Sequence, residues 1–319
     1  MLRLLIRRLF ALVPVLLGVA VIVFFIIRLV PGDAVDIMLG EYNDPEVAAR
    51  IRQFLGLDQP VPVQFVRWVT GMLRGDLGIS IRTGRAVTTE IAQRLPATMQ
   101  LAGAAVIFSL LIGVPFGVIS ATHRNTTVDF IGRVFSLGGI SMPHFWLGIL
   151  LILVFAVTLR LLPSGGYVAP AQDLEQNLRH LVMPTVTLGY SMAAVTMRMT
   201  RSAVLEVLSQ DHVRTARAKG LVEHLVIRRH VLRNALIPVV TVVGIQVGHL
   251  LGGTVVIEEV FSWPGIGSLV VRAILQRDYP LVQGVVLILA TLFVLTNLVV
   301  DILYGFLDPR LRAWEANSA

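Results

Sequence analysis

ATMQLAGAAVIFSLLIGVPFGVISA, running from Ala97 to Ala121, contains no charged side chain. The hydrocarbon core of a bilayer is about 30 Å thick and a helix rises about 1.5 Å per residue, so about 20 apolar residues cross it. This run reads as a membrane-spanning helix. Five more stretches read the same way: Leu9–Val30, Val134–Leu159, Leu181–Arg201, Ala235–Ile257 and Leu281–Tyr304. Leu181–Arg201 is diluted by Thr185, Thr187, Tyr190, Ser191 and Thr196, which suits a helix facing other helices or a solute path rather than lipid. The expected fold class is all-α integral membrane, with about six transmembrane helices.

Composition agrees. Of 319 residues, 55% are hydrophobic and 15% charged, against about 25% charged in soluble domains. Mean hydropathy is +0.77. The net charge of +7 comes almost wholly from arginine, Lys219 being the only lysine. With this hydrophobicity the basic balance reads as lipid topology, not nucleic-acid binding. No cysteine is present, which excludes disulfides and thiolate metal sites. Met1–Arg8 resembles the n-region of a signal peptide. The following apolar run exceeds the about 7–15 residues of a signal h-region and reads as an uncleaved first span.

Basic residues orient the chain. With the N-terminus inside, the short inner segments hold 15 Lys/Arg and the two short outer connections hold four, Arg160, Arg179, Arg272 and Arg277. Both termini are therefore expected in the cytoplasm: 1–8 inside, 9–30 the first span, 31–96 an outer loop, 97–305 the core with 202–234 inside, and 306–319 an inner tail. The outer loop is too long to be structureless. Asp44-Pro45-Glu46 reads as a helix start and Gly56 as its end. A second helix is expected over Pro62–Leu73, a turn at Gly75-Asp76-Leu77-Gly78, and a third short helix over Val87–Leu95. Together they would form a small extracytoplasmic helical cap.

The inner connection between the fourth and fifth spans is the most informative. Asp211-His212-Val213-Arg214-Thr215-Ala216-Arg217-Ala218-Lys219-Gly220-Leu221 starts as a helix. Gly220 can end it in a left-handed conformation. Thr215, Ala216 and Ala218 are small enough to let a partner approach, and Arg214, Arg217 and Lys219 suit an acidic rim. A second helix, Leu221–Asn234, is expected to lead to Pro238. A short helix on a bend between two spans can transmit a push from a docked partner.

At this point the chain resembles the permeases of binding-protein-dependent ABC importers, and within them the B-type subunit of the dipeptide/oligopeptide/nickel branch. The resemblance covers nearly the whole chain. It rests on Pro31-Gly32-Asp33, Leu55-Gly56-Leu57-Asp58, Gly75-Asp76-Leu77-Gly78 and Arg94-Leu95-Pro96-Ala97-Thr98. It continues through Thr215–Gly220, His230-Val231-Leu232-Arg233-Asn234-Ala235-Leu236-Ile237-Pro238, Phe261-Ser262-Trp263-Pro264-Gly265-Ile266-Gly267, Arg277-Asp278-Tyr279-Pro280 and Asp308-Pro309-Arg310. Each motif alone is weak; their order and spacing are specific. Two departures from the wider superfamily occur. Arg214-Thr215-Ala216 stands where Glu-Ala-Ala is usual, and Arg233 where a proline is usual. Both agree with the peptide branch.

The resemblance implies an alternating-access permease in a bacterial inner membrane. It would pair with a second, related permease subunit, two ATPase subunits and an extracytoplasmic solute-binding protein. Arg214, Thr215, Ala216, Arg217, Ala218, Lys219 and Gly220 would contact an ATPase. Relatives carry dipeptides, longer peptides, glutathione or nickel chelates.

A P-loop needs Gly-Lys-Ser/Thr. Lys219 lies between Ala218 and Gly220, so no P-loop is possible here; if transport is ATP-driven, separate subunits hydrolyse the ATP. No cofactor motif, metal-ligand set or catalytic group emerges; Ser141-Met142-Pro143-His144 reads as local helix breaking at Pro143. Gln246 and His249 share one face of the fifth span. With Tyr190 and Thr196 they are candidates for the translocation path or for interhelical hydrogen bonds. Glu258 and Glu259 open the last outer segment and are candidates for contact with the binding protein. A gradient-driven secondary transporter remains the alternative. It predicts charge pairs or broken helices within the spans.

Overall fold

The computed structural model describes residues 2–28 and 44–307. Pro31-Gly32-Asp33 and Asp308-Pro309-Arg310 lie outside the described residues. In chain order the helices are α1 (Leu2–Arg28), α2 (Pro45–Leu55), α3 (Val61–Leu73), α4 (Val87–Thr122), α5 (Thr127–Ser141), α6 (His144–Leu151), α7 (Leu174–Leu208), α8 (Asp211–Ala218), α9 (Glu223–Leu225), α10 (Leu232–Val260), α11 (Ile266–Leu275) and α12 (Tyr279–Leu307). A π segment, Ile152–Thr158, prolongs α6, and another, Val226–Val231, joins α9 to α10. The protein is an all-α integral membrane protein. Val87–Thr122, Glu223–Gly248 and Tyr279–Val300 are each long and apolar enough to cross a bilayer, and the bent pair Thr127–Ser141 and His144–Thr158, taken together, passes the same test of length and composition. The expected first span forms α1 with the shorter apolar stretch Leu12–Ile26, and the polar-diluted fourth lies within α7.

Three expectations change. Val87–Leu95 is not a separate helix but the start of α4, because prolonging a helix costs less than nucleating a new one. The third span is broken: α5 and α6 meet at 106°. Pro143 has no N–H and forces the preceding residue out of the helical region, and Met142 is extended, at φ −88° and ψ 124°. Finally, the helix after Gly220 does not stop at Asn234. Residues 223–260 form one helical run.

The chain divides into two compact units. The first comprises Leu2–Thr98 and Pro264–Val294. Its core gathers Ala20 and Val23 of α1, Leu77, Val87 and Ile91, then Ile266, Leu269, Val270 and Ala273 of α11, and Leu281, Val282 and Val285 of α12. At residue 284 only glycine fits, since a Cβ there would lie 2.4 Å from a Val87 methyl. The cap helices form as their residues dictate. The Asp44 side chain accepts from Glu46 N at 2.9 Å, Pro45 takes the first helical position, and Gly56 ends α2 at φ +67°. Phe65 and Trp68 of α3 pack on Phe24, with ring centroids 5.0 and 5.7 Å apart. Asp278 is buried and explains its motif. It accepts from the Ser80 hydroxyl and from Ile81 N and Arg82 N. It also accepts from Leu281 N at 3.3 Å, capping α12.

The second unit comprises Met99–Trp263 and the described part of Leu295–Ala319. Here α7 packs against α4, α5, α6 and α10. Lipid offers no hydrophobic drive for association, so close backbone packing carries it. Gly113 and Gly117, one turn apart on α4, permit that approach. A Cβ at 113 would fall 2.8 Å from Thr196 Cβ, and one at 117 would fall 2.6 Å from Thr200 Cβ. Gly139 of α5 meets Ala194 of α7 in the same way. One charged group is locked inside this packing. Asp129 of α5, with 0% side-chain exposure, accepts from the Ser120 hydroxyl at 2.6 Å and from Asn125 N at 3.1 Å. Arg201 of α7 meets it with two bonds, Nε at 2.7 Å and Nη2 at 3.0 Å. Helices α4, α5 and α7 are thereby tied at one end.

Candidate coupling site

Helix α8 lies between α7 and the long run that begins at α9. Its buried side is apolar: Val213 and Ala216 join Val204 and Val207 of α7, Ala121 of α4, Val226, Val231 and Ala235 in one cluster. Its outer side is what remains of the motif. Arg214, Thr215, Arg217, Ala218, Lys219 and Gly220 are all exposed. Ala216 therefore corrects the expectation made for it. Its small side chain seats α8 on its own chain, at 5% exposure, instead of facing outward.

The bend after α8 is set by backbone chemistry. Gly220 adopts φ +77°, which side chains other than glycine, asparagine or aspartate rarely take. Gly220 N donates to Arg217 O at 2.9 Å and Leu221 N to Ala216 O at 3.4 Å, satisfying the last carbonyls of the helix. Across the bend, Arg217 donates to Glu223 through Nε, at 3.1 Å, and Nη2, at 2.6 Å. Those bonds hold the Arg217 guanidinium above its ordinary pKa. At this exposure the pair contributes at most about 1 kcal/mol, but it fixes the angle between α8 and α9. Arg214 reaches back to Asp211 at 3.5 Å. Among the described residues beyond its chain neighbours, none lies within 4 Å of where a Gly220 Cβ would stand, which leaves room there for another molecule.

The polar residues of the spans fall into separate groups. Thr196, fully buried, meets the Ser109 hydroxyl at 3.0 Å and accepts from Gln246 Nε2 at 3.2 Å. One site thus links α4, α7 and α10 through hydroxyl and amide groups. Tyr190 is elsewhere. Its hydroxyl donates to Phe135 O of α5 at 3.0 Å, and its ring stands edge-on to Phe135. The His249 side chain lies outside the described residues. The glutamate pair divides: Glu258 is buried, at 0% exposure, whereas Glu259 is exposed. The chain turns sharply there. Trp263 N donates to Glu258 O at 2.7 Å and Gly166 N to Phe261 O at 2.8 Å, while the Tyr167 ring packs edge-on against Trp263. That corner holds Glu258 inward, so only Glu259 faces out.

Sequence reasoning missed Asp129. It is one isolated acid among inner-loop charges, and nothing local reveals that Arg201, 72 residues later, will close on it.

Two family models together match most of the chain. "Binding-protein-dependent transport system inner membrane component" matches residues 113–313. "Binding-prot-dependent transport system membrane comp, N-term" matches residues 1–102. The glutathione transport system permease protein GsiC of Salmonella paratyphi A is 45% identical over 312 residues, covering 98% of this chain and 99% of the relative. The di/tripeptide transport system permease protein DppB of Pseudomonas aeruginosa is 45% identical over 333 residues, with the same coverages of 98% and 99%. The dipeptide transport system permease protein DppB of Escherichia coli K12 is 41% identical over 336 residues, again at 98% and 99%. Among solved structures, the methionine ABC transporter MetNI in an inward-facing crystal form matches with a TM-score of 0.55 at 20% identity. That match covers 68% of this chain and 96% of the other, and it speaks to fold alone.

Proposed function

The chain belongs to the family of binding-protein-dependent transport system inner membrane components, and from that premise we propose that it is the permease subunit of an ATP-driven importer of peptides or glutathione. The observation that carries the mechanism is α8. It is an eight-residue helix with an exposed basic face, seated on the ends of α4 and α7 and turned by Gly220 into a long helical run. A docked ATPase that moves α8 moves α7 and α10 with it. Arg214, Thr215, Arg217, Ala218, Lys219 and Gly220 are the contact residues in this reading, and Ala216 is the seat.

A second, related permease subunit completes the path, and a solute-binding protein loads it from outside, with Glu259 as a contact. Gln246, the partly exposed member of the Ser109–Thr196–Gln246 group, is the candidate polar lining, with Thr196 behind it, and Tyr190 braces α5 against α7. Relatives named for dipeptides and for glutathione match this chain almost equally, at 41–45% identity, so the solute class is a short peptide, with glutathione within it. A gradient-driven carrier has less behind it. The break between α5 and α6 is lined by Gly138, Ser141, Met142, Pro143, Phe145 and Trp146, with no carboxylate to carry a proton or cation.

Uptake tests the assignment. The chain purified alone should hydrolyse no ATP. Vesicles holding it with its permease and ATPase partners should take up labelled dipeptide or glutathione only when ATP and the binding protein are supplied. Uptake by the chain alone under an ion gradient would refute the reading. Orientation has its own test, made simple by the absence of cysteine. Arg50→Cys should react with an impermeant thiol reagent from outside intact cells, and Ala218→Cys only after the inner face is opened. Labelling of residue 218 from outside would remove both the topology and the docking role of α8.

A further inference from the structure

Leu225, Arg228, Arg229 and Arg233 line a concavity of about 380 Å³ at the start of the long helical run. Other arginines nearby are already engaged: Arg201 with Asp129, Arg214 with Asp211, and Arg217 with Glu223. Among the described residues, the side chains of Arg228, Arg229 and Arg233 make no hydrogen bond or ion pair. The acid closest in sequence, Glu223, holds Arg217 with both its oxygens. Three arginine side chains thus line one pocket, and no described carboxylate pairs with them.

Arg228 and Arg229 lie within a π segment, Val226–Val231, and Arg233 lies in the first turn of α10 that follows it. Such segments are uncommon and concentrate at functional sites. The surroundings are amphipathic. Leu221, Val222 and Leu225 are exposed at 40%, 54% and 41%. The cluster also occupies the first turns of Glu223–Gly248, a segment apolar enough to cross the bilayer. Arginine forks match phosphate oxygens, and basic pockets where a span leaves the inner face attract anionic headgroups.

We propose that this pocket binds the phosphate of an anionic phospholipid, with the acyl chains against Leu225 and its apolar neighbours. The proposal rests on the cytoplasmic placement of α9 given above. The anionic phosphate oxygens it would bind are shared by a lipid phosphodiester and by free phosphate; the apolar border is what selects lipid. A lipid held there would fix the start of the run that follows the coupling bend.

Native mass spectrometry of the delipidated chain, titrated in separate arms with phosphatidylglycerol, phosphatidylcholine and inorganic phosphate, tests it. The expected result is one tightly bound phosphatidylglycerol, weaker phosphatidylcholine, and no retained phosphate. Each of Arg228→Gln, Arg229→Gln and Arg233→Gln should weaken that binding about fivefold, and the triple variant about a hundredfold. Arg124→Gln, an exposed inner charge outside the pocket, should change nothing. Should the triple variant fail to fold, the single variants decide. Equal affinity in parent and single variants would overturn the proposal. So would retention of phosphate as tight as the lipid, or loss of ATPase pull-down with lipid binding intact, which would make the three arginines a protein contact. Binding is read by mass, so a failed uptake assay leaves this result standing and counts only against the permease reading.

Discussion

Gly220→Val leaves the chain folded and inserted in the membrane but ends solute uptake. At φ +77° a β-branched residue is strained by about 1–2 kcal/mol. Beyond its chain neighbours, no described residue lies within 4 Å of the added Cβ, so the strain is confined to the bend. It is relieved by turning α8 away from the angle that Arg217 and Glu223 hold. The partner's view of the basic face changes with it. Uptake should fall at least tenfold and pull-down of the ATPase subunits should fall with it, while membrane yield stays near that of the parent. Gly220→Asn, which tolerates the left-handed region, should keep most of both activities. If Gly220→Val transports like the parent, α8 is an ordinary connection and the coupling role is lost.

Asp129→Ala destabilises the chain by about 3–5 kcal/mol, the usual cost of leaving one member of a buried ion pair without its partner. Arg201 loses both its bonds, and Ser120 and Asn125 lose their acceptor. In a detergent-solubilised sample the apparent unfolding midpoint should drop by roughly 6–15 °C. Asp129→Leu combined with Arg201→Met should recover much of that loss, because replacing both charges removes the orphan along with the pair. A midpoint for Asp129→Ala within about 1 °C of the parent would show that the lock carries no stability.

The periodic features were readable from sequence because they are local. Six apolar runs, the Asp44-Pro45 start, the Gly56 stop and the Gly220 bend each depend on residues within a turn or two. The misreadings share one cause: burial is decided by distant chain. Ala216 looks like room for a partner until Val204, Val207 and Val226 are seen around it. Glu258 looks like an outer charge until the Phe261–Trp263 corner folds it inward. Asp129 and Arg201 both look like topology signals, and one of them does sit at a span end, yet they neutralise each other. Pro143 was legible as a break, but the size of the bend depends on how α5 and α6 each pack on α7. Of the candidate path, Thr196 and Gln246 do meet, directly, and Thr196 also bonds a third residue, Ser109, that apolar periodicity hides.

The uninterrupted run from 223 to 260 gives the molecule a lever. Its 38 helical residues extend for roughly 57 Å, more than the thickness of the hydrocarbon. One end starts three residues beyond the coupling bend and the other ends beside Glu259. A tilt of about 10° about the midpoint displaces each end by about 5 Å, in opposite directions. Force applied at one face then arrives at the far face with no flexible joint in which to dissipate. Pro238, the one proline within α10, is where such a rod bends if it bends at all.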